Sequence, residues 1–407
     1  MNRPPDPEGY HRTVHTGRSH LGAEPSGRLR ILLVIKGLAT GGAERLLVDT
    51  VAAGDRDHFE YEVSYILDQS NSLVGQLTEL GIPVHSLGCH HNADLRWMAR
   101  LRTLVSRGNF DVVHFHLPYP AALGRLALAT IPRSRRPAIA YTEHSVWDKM
   151  AVLVKAVNRA GIGLDQALIV VSDPCFDALP PALKPRAQVL VHGVNLAATD
   201  RLLGRQDEIR SEVRQELKVP DDSLLVLTVA NLRSEKGYDL LVAGVRLALD
   251  QELPIHVVAV GWGPIEADVR SWVHDAGLDD HLVLLGPRDD VLRLMVGSDL
   301  FVLASHQEGL PVVLMEATGA GLPIVATRVG GVPQVLTDDV DGLLVPPGDA
   351  TALAAALARL ANEPETRSRL AAAARERSRI FDVSEAARTI ESIYETIAPA
   401  RADQGSP

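Results

Sequence analysis

Two carboxylates stand in an otherwise apolar stretch, Ser305-His306-Gln307-Glu308-Gly309-Leu310-Pro311-Val312-Val313-Leu314-Met315-Glu316-Ala317. Pro311 suits the first turn of a helix, which would let the backbone N–H groups of Leu310, Val312 and Val313 hold a phosphate. Glu308 would then precede the helix, and Glu316 would lie more than one turn inside it. A carboxylate at an apolar helix entrance is costly unless it is hydrogen-bonded, and ribose or sugar hydroxyls are suitable donors. The same residues could instead be a helix cap and a structurally paired acid.

Other residues could also meet an anion or a sugar. Gly41 and Gly42, within Lys36-Gly37-Leu38-Ala39-Thr40-Gly41-Gly42-Ala43-Glu44-Arg45, let a backbone approach a ligand at a helix start. A tight strand-to-helix turn would use the same glycines. Arg233 and Lys236, in Asn231-Leu232-Arg233-Ser234-Glu235-Lys236-Gly237, place two cations just after a buried strand. His114, His116 and His144 lie in Val112-Val113-His114-Phe115-His116-Leu117 and Tyr141-Thr142-Glu143-His144-Ser145. Their spacing fits no zinc pattern, and His114 reads as a packed strand histidine. Asp339-Val340-Asp341 has D-x-D spacing but runs into Gly342, as a turn does, so no metal is expected. Cys89 and Cys175 are too few for a disulfide framework and suit a reducing compartment.

Such residues act only if elements hold them together. Apolar, β-branched runs at 31–35, 63–67, 112–115, 139–142 and 168–172 alternate with segments of helical spacing. A second series, at 224–229, 255–260, 282–285, 300–303, 324–326 and 343–345, follows a polar stretch near 202–216. Continuous apolar runs separated by helices indicate buried parallel strands, and 407 residues exceed one hydrophobic core. Two doubly wound α/β sheets follow, in which ligands bind beyond the carboxyl ends of the strands. The glycine-rich turn, the two cations, the histidines and the Glu308 segment all fall at such ends. The expected division is a disordered tail at 1–27, domains at 28–200 and 201–382, a helix at 383–398 and a tail at 399–407.

Composition narrows the class. Apolar residues make up 46% and charged residues 23%, an ordinary soluble balance, and a net charge of -10 argues against a nucleic-acid partner. No apolar run approaches the roughly 20 residues a membrane helix needs, and residues 1–27 lack a signal-like stretch, which gives a cytoplasmic expectation. Arg96, Arg100, Arg102 and Arg107 alternate with Trp97, Leu101, Leu104 and Val105, and Arg133, Arg135 and Arg136 add a second basic patch. Such an amphipathic helix could make peripheral contact with an anionic membrane, or pack its apolar side on the sheet.

Glu308 and Glu316 have seven residues between them. With Gly41-Gly42-Ala43-Glu44-Arg45, the 231–237 segment, Val260-Gly261-Trp262-Gly263-Pro264 and Gly330-Gly331-Val332-Pro333 in order, the chain resembles the retaining glycosyltransferases of family 4 and their E-x7-E motif over residues 28–395. The resemblance implies the α/β architecture called GT-B, two Rossmann-like doubly wound domains facing each other across a cleft, with the last helix returning to the first domain. It implies a nucleotide diphosphate sugar as co-substrate, UDP- ahead of GDP-, with no cofactor and no metal. The acceptor would be a hydroxyl of a glycan, a lipid-linked or a small-molecule compound. By resemblance, Arg233, Lys236, Gly41, Gly42 and the backbone of Gly309, Leu310, Pro311 and Val312 hold the donor diphosphate. Glu316 binds the ribose, Glu308 the transferred sugar, His144 lines the sugar pocket and His116 faces the acceptor. Two cations and a helix N-terminus would stabilise the charge gathering on a departing diphosphate. His192, Trp262 and Gln334 depart from the pattern, where the family more often has Asn, a polar residue and Glu. A sugar-nucleotide epimerase of the same fold and a non-catalytic sugar-nucleotide binder stay open, whereas a dehydrogenase lacks its G-x-G-x-x-G turn.

Overall fold

The computed structural model describes residues 27–39, 41–68, 72–144, 147, 152–191, 193–220 and 222–399. The tails expected at 1–27 and 399–407 lie outside the described residues except for Gly27 and Pro399, as do Thr40, Ser145 and His192. The chain divides into two compact units, one ending at Gly193 and resumed from Val383, the other Val194–Asp382. A boundary at residue 200 would cut the helix Leu196–Leu203, whose Leu196 side chain packs against Gly319 of the second unit.

In the first unit the strands are β1 Leu29–Ile35, β2 Phe59–Leu67, β3 Val84–Cys89, β4 Val112–His116, β5 Ala138–Glu143, β6 Ala167–Val170 and β7 Ala187–Val189. They form one parallel sheet in the order β3-β2-β1-β4-β5-β6-β7. The second unit has β8 Leu224–Val229, β9 Ile255–Val260, β10 Leu282–Gly286, β11 Leu300–Leu303, β12 Ile324–Thr327 and β13 Leu343–Val345. These too are all parallel, in the order β10-β9-β8-β11-β12-β13. Most residues of the central strands are apolar and buried because helices cover both faces of each sheet. β11, for example, is Leu300, Phe301, Val302 and Leu303, each at most 1% exposed. Strand order reverses between β1 and β4 and between β8 and β11, and loops diverge there to leave room for a ligand.

The first unit buries an ion pair with the rest of its core. Arg125 and Asp165 are fully buried and joined through two hydrogen bonds of 2.7 and 2.6 Å, and the guanidinium stands 4.6 Å from the Tyr141 ring centre. The helix Val383–Ile397 completes this unit. Its Ile390 and Tyr394 join the core beside Ile31 and Val63, and Glu391 accepts hydrogen bonds from Tyr61 Oη and the Asp55 N–H, both at 2.6 Å.

Three further segments bear on the sequence reading. The polar stretch near 202–216 is largely helix Gln206–Leu217, which buries Ile209 and Val213 and reaches Asp299 through Arg214 at 3.0 Å. The stretch beyond Pro364 forms two helices, Pro364–Arg377 and Val383–Ile397, with a 3-10 turn at Ser378–Phe381 between them. The arginine-rich segment is a helix, Arg96–Gly108, but it spends Trp97, Leu101 and Val105 on the interior, so those side chains cannot enter a headgroup layer. Arg96 pairs with Asp94 and Arg100 donates to the carbonyls of Leu87 and Gly88, while Met98 and Leu104 stay half-buried beside them. No described helix is long and apolar enough to cross a membrane.

Candidate active site

At the β8/β11 switch point the second unit assembles a charged site from two loops. The loop after β8 ends in a 3-10 turn, Ser234–Lys236, and then Gly237 at φ 64°. A Cβ on Gly237 would lie 2.0 Å from the Ala304 carbonyl oxygen, so only glycine allows this loop to lie against the one after β11. The N–H groups of His306 and Gln307 bond the Glu235 carbonyl at 2.9 and 3.1 Å and lock the two loops together. Lys236 Nζ consequently reaches both carboxylate oxygens of Glu308 at 2.8 Å, while Ser305 Oγ donates to Oε1 at 2.6 Å.

Glu308 is 8% exposed, and its burial is tolerable because an ammonium and a hydroxyl answer it. Gly330, at φ 49°, supports it from the far side, where a Cβ would meet the Glu308 carbonyl oxygen at 1.9 Å. Arg233, by contrast, is exposed and makes no side-chain hydrogen bond or ion pair among the described residues. One cation is therefore held in place and one is available at the same loop.

The helix after the Glu308 loop is Val312–Gly319. Pro311 stands at its N-cap with φ -78° and ψ 99°, not in its first turn, which moves the helix start one residue later than expected. Leu314 N–H already bonds the Pro311 carbonyl at 3.0 Å, so Val312 and Val313 carry the N–H groups of the helix start that remain for an anion. Leu314, Met315 and Ala317 are buried, whereas Val312, Val313 and Glu316 are half-buried, as residues on one open face of a helix are. Gly309 and Leu310, also half-buried, border that face, and the Gly309 carbonyl is taken by Gly331 N–H at 2.7 Å.

In the first unit, Gly41 caps the helix Gly42–Ala53 with φ -128°, a conformation open to any residue. Its small size serves a different end: a Cβ there would lie 2.3 Å from Glu44 Oε2. The Glu44 carboxylate therefore lies beside Gly41, within the pull of its own backbone N–H, at the helix start where the sequence reading seats an anion. Burial pushes this carboxyl above its usual range, against the opposing pull of that N–H and of Lys36.

At the carboxyl ends of the neighbouring strands β4 and β5, His116 Nδ1 lies 3.2 Å from His144 Nε2, with His116 buried and His144 half-buried. His114, read from sequence as a packed strand histidine, is fully buried and held by Tyr394 Oη and Thr142 Oγ1, both at 2.7 Å. Sequence reasoning missed Ser305, Glu44 and Tyr394. Ser305 could have been found from its place three residues before Glu308, but Tyr394 has no local signal.

Asp339 and Asp341 are used structurally. Asp339, at φ 56°, pairs with Arg359 and Arg369 at 3.0 Å each, and Asp341 Oδ1 accepts the Thr337 N–H at 2.6 Å. Trp262 is 54% exposed in the loop after β9, where its carbonyl accepts the Leu232 N–H at 3.0 Å.

Known proteins match both units. The family described as "Glycosyl transferases group 1" matches residues 209–377, and that described as "Glycosyltransferase Family 4" matches residues 34–198. The chain is 33% identical over 311 residues to D-inositol 3-phosphate glycosyltransferase of Xylanimonas cellulosilytica, covering 71% of this chain and 72% of that protein. It is 27% identical over 310 residues to N-acetyl-alpha-D-glucosaminyl L-malate synthase of Bacillus anthracis, covering 75% and 78%. The match to the amylovoran biosynthesis glycosyltransferase AmsK of Erwinia amylovora, at 34% identity over 162 residues, spans only 38% of this chain and 39% of that protein. Among solved structures, Anabaena HepE in complex with UDP and glucose is similar over 91% of this chain and 100% of that one, with a TM-score of 0.78 at 20% identity. The chain belongs to the family 4 glycosyltransferases, and its two parallel-sheet units are those of the GT-B fold.

Proposed function

We propose that the chain transfers a hexose from a UDP-sugar to a hydroxyl of a glycan, lipid-linked or small-molecule acceptor, with retention and without a metal. The observation that carries this reading is the meeting of Lys236, Glu308 and the start of helix Val312–Gly319 at one switch point, with Arg233 available beside them. The diphosphate lies against the Val312 and Val313 N–H groups and draws Lys236 and Arg233 to its oxygens. As Lys236 turns to phosphate, Glu308 is released to accept hydrogen bonds from the hydroxyls of the transferred sugar. Glu316, on the open face of the helix, binds the ribose.

Bond breaking at the anomeric carbon moves negative charge onto the diphosphate, and two cations plus a helix N-terminus oppose that charge where it forms. The departing phosphate oxygen then takes the proton of the attacking hydroxyl, so no side-chain base is required. His144 borders the sugar and His116 the acceptor side. UDP is favoured because HepE, a protein of the same fold, is described in complex with UDP and glucose. Transfer is favoured over epimerisation because the relatives of known name are glycosyltransferases and synthases.

The test is incubation with UDP-glucose and a panel of hydroxyl acceptors in the presence of EDTA, followed by proton NMR of the product. Product carrying the donor's anomeric configuration is expected. Inversion of configuration, loss of activity on chelation, or conversion of the UDP-sugar with no acceptor added would each overturn the corresponding part of the reading.

A further inference from the structure

We propose that Tyr394 is a positioning residue, which acts through His114 to fix the hydrogen-bonded pair His116 and His144. This rests on the reading that the pair borders the reacting sugar, and adds a part for the C-terminal helix in arranging it.

Tyr394 reaches the histidines from the helix Val383–Ile397, which Glu391 anchors through Tyr61 Oη and the Asp55 N–H one turn earlier. Its hydroxyl lies 2.7 Å from His114 Nδ1, and its ring meets the imidazole edge-on at 5.6 Å. The second nitrogen of His114, Nε2, lies 2.7 Å from Thr142 Oγ1 on β5. Both nitrogens of a fully buried ring are thus held by hydroxyls from separate elements, so the ring can neither flip nor turn without breaking a bond. His114 in turn lies against His116, with ring centres 4.3 Å apart and planes at 36°. His116 Nδ1 completes the series 3.2 Å from His144 Nε2.

A bond between two imidazole nitrogens needs one donor and one acceptor, so the tautomer of one ring dictates that of the other. Packing alone would be served by Phe at 394 and Val at 142. The two hydroxyls instead fix where the His114 ring lies and how it is turned, and through ring contact they set the orientation of His116 toward His144.

The experiment uses the full chain labelled with ¹⁵N-histidine, without donor or acceptor, comparing ring-nitrogen spectra of wild type, Tyr394→Phe and Thr142→Val. The ring signals are assigned from single His→Gln variants. Tyr394→Phe keeps the ring that packs and removes only the hydroxyl. Signals of His114, His116 and His144 are all expected to move in both variants. With a UDP-sugar donor, kcat should fall about tenfold while the donor KM stays within about twofold, as for a lost orienting contact. Unchanged His116 and His144 signals in both variants would overturn the proposal even if those of His114 moved. Because the spectra need no substrate, moved signals in a protein that transfers no sugar would uphold the positioning and remove only the reading on which its catalytic meaning rests.

Discussion

Lys236 Nζ bonds both carboxylate oxygens of Glu308 at 2.8 Å, with the lysine side chain 23% exposed and the glutamate 6%. The asymmetry in burial makes the two ends of this pair unequal. Lys236→Ala strands a buried carboxylate and should cost about 1–3 kcal/mol of stability, whereas Glu308→Gln leaves a lysine that can turn to water and should cost less. Glu308→Gln should nonetheless lower transfer strongly while UDP affinity is kept or raised, since Lys236 no longer has to leave a carboxylate to reach the phosphate. Urea melts and kinetics on the two variants check this, and equal destabilisation by both would remove the asymmetric account.

Glu316→Ala should weaken UDP binding by about 1.5–3 kcal/mol, the range for a charge-assisted hydrogen bond. Isothermal titration measures it. Unchanged affinity would end the ribose assignment.

In the second unit the strands were legible where nearly every residue is apolar and buried, the edge strand β13 included. The runs at 224–229, 255–260, 300–303 and 343–345 coincide with β8, β9, β11 and β13. Two strands of the first unit went unread, β3 Val84–Cys89 and β7 Ala187–Val189, both at sheet edges. β3 mixes His85 and Ser86 with its apolar residues and β7 is three half-buried residues, so neither shows the continuous run that two covered faces demand. Glu308, Glu316, Arg233 and Lys236 could be picked out because motif spacing brings them close along the chain or to the end of a strand. Tyr394 could not, since its partner His114 is 280 residues away in sequence and only the fold joins them.

A pH dependence follows from Glu44. Its folded carboxyl is raised by burial, so just above the ordinary carboxylate range the native chain binds a proton that the unfolded chain has released. The sign is then fixed: this residue's contribution to stability is present at lower pH and is lost as pH rises from the unfolded value toward the folded one. Other carboxyls, such as Asp290 beside Arg288, move in the opposite direction, so the useful quantity is the difference between wild type and Glu44→Gln. Wild type should lose stability relative to the variant as pH rises across that window. A constant difference would show that the Glu44 carboxyl titrates alike in both states.

Helix Arg96–Gly108 keeps its arginines on the outer face while Trp97, Leu101 and Val105 are buried. Any association with a membrane surface through this face should be electrostatic, with sedimentation alongside anionic vesicles at low salt and full release at high salt. Equal recovery in the supernatant with anionic and neutral vesicles at every salt concentration would exclude this face as a docking surface. Vesicle binding that persists at high salt would require an apolar contact elsewhere.

The central claim is that Arg233 and Lys236 hold a nucleotide diphosphate, and thermal unfolding with UDP, GDP and ADP tests it most directly. A ligand that binds only the folded chain raises its stability by RT ln(1 + [L]/Kd), about 2.7 kcal/mol at a hundredfold excess over Kd. Arg233 is exposed and unpaired among the described residues, so Arg233→Ala should melt as wild type does without ligand. UDP should raise the melting temperature of wild type clearly and that of Arg233→Ala much less. An equal rise in both proteins, or no rise with any of the three nucleotides, would contradict the account.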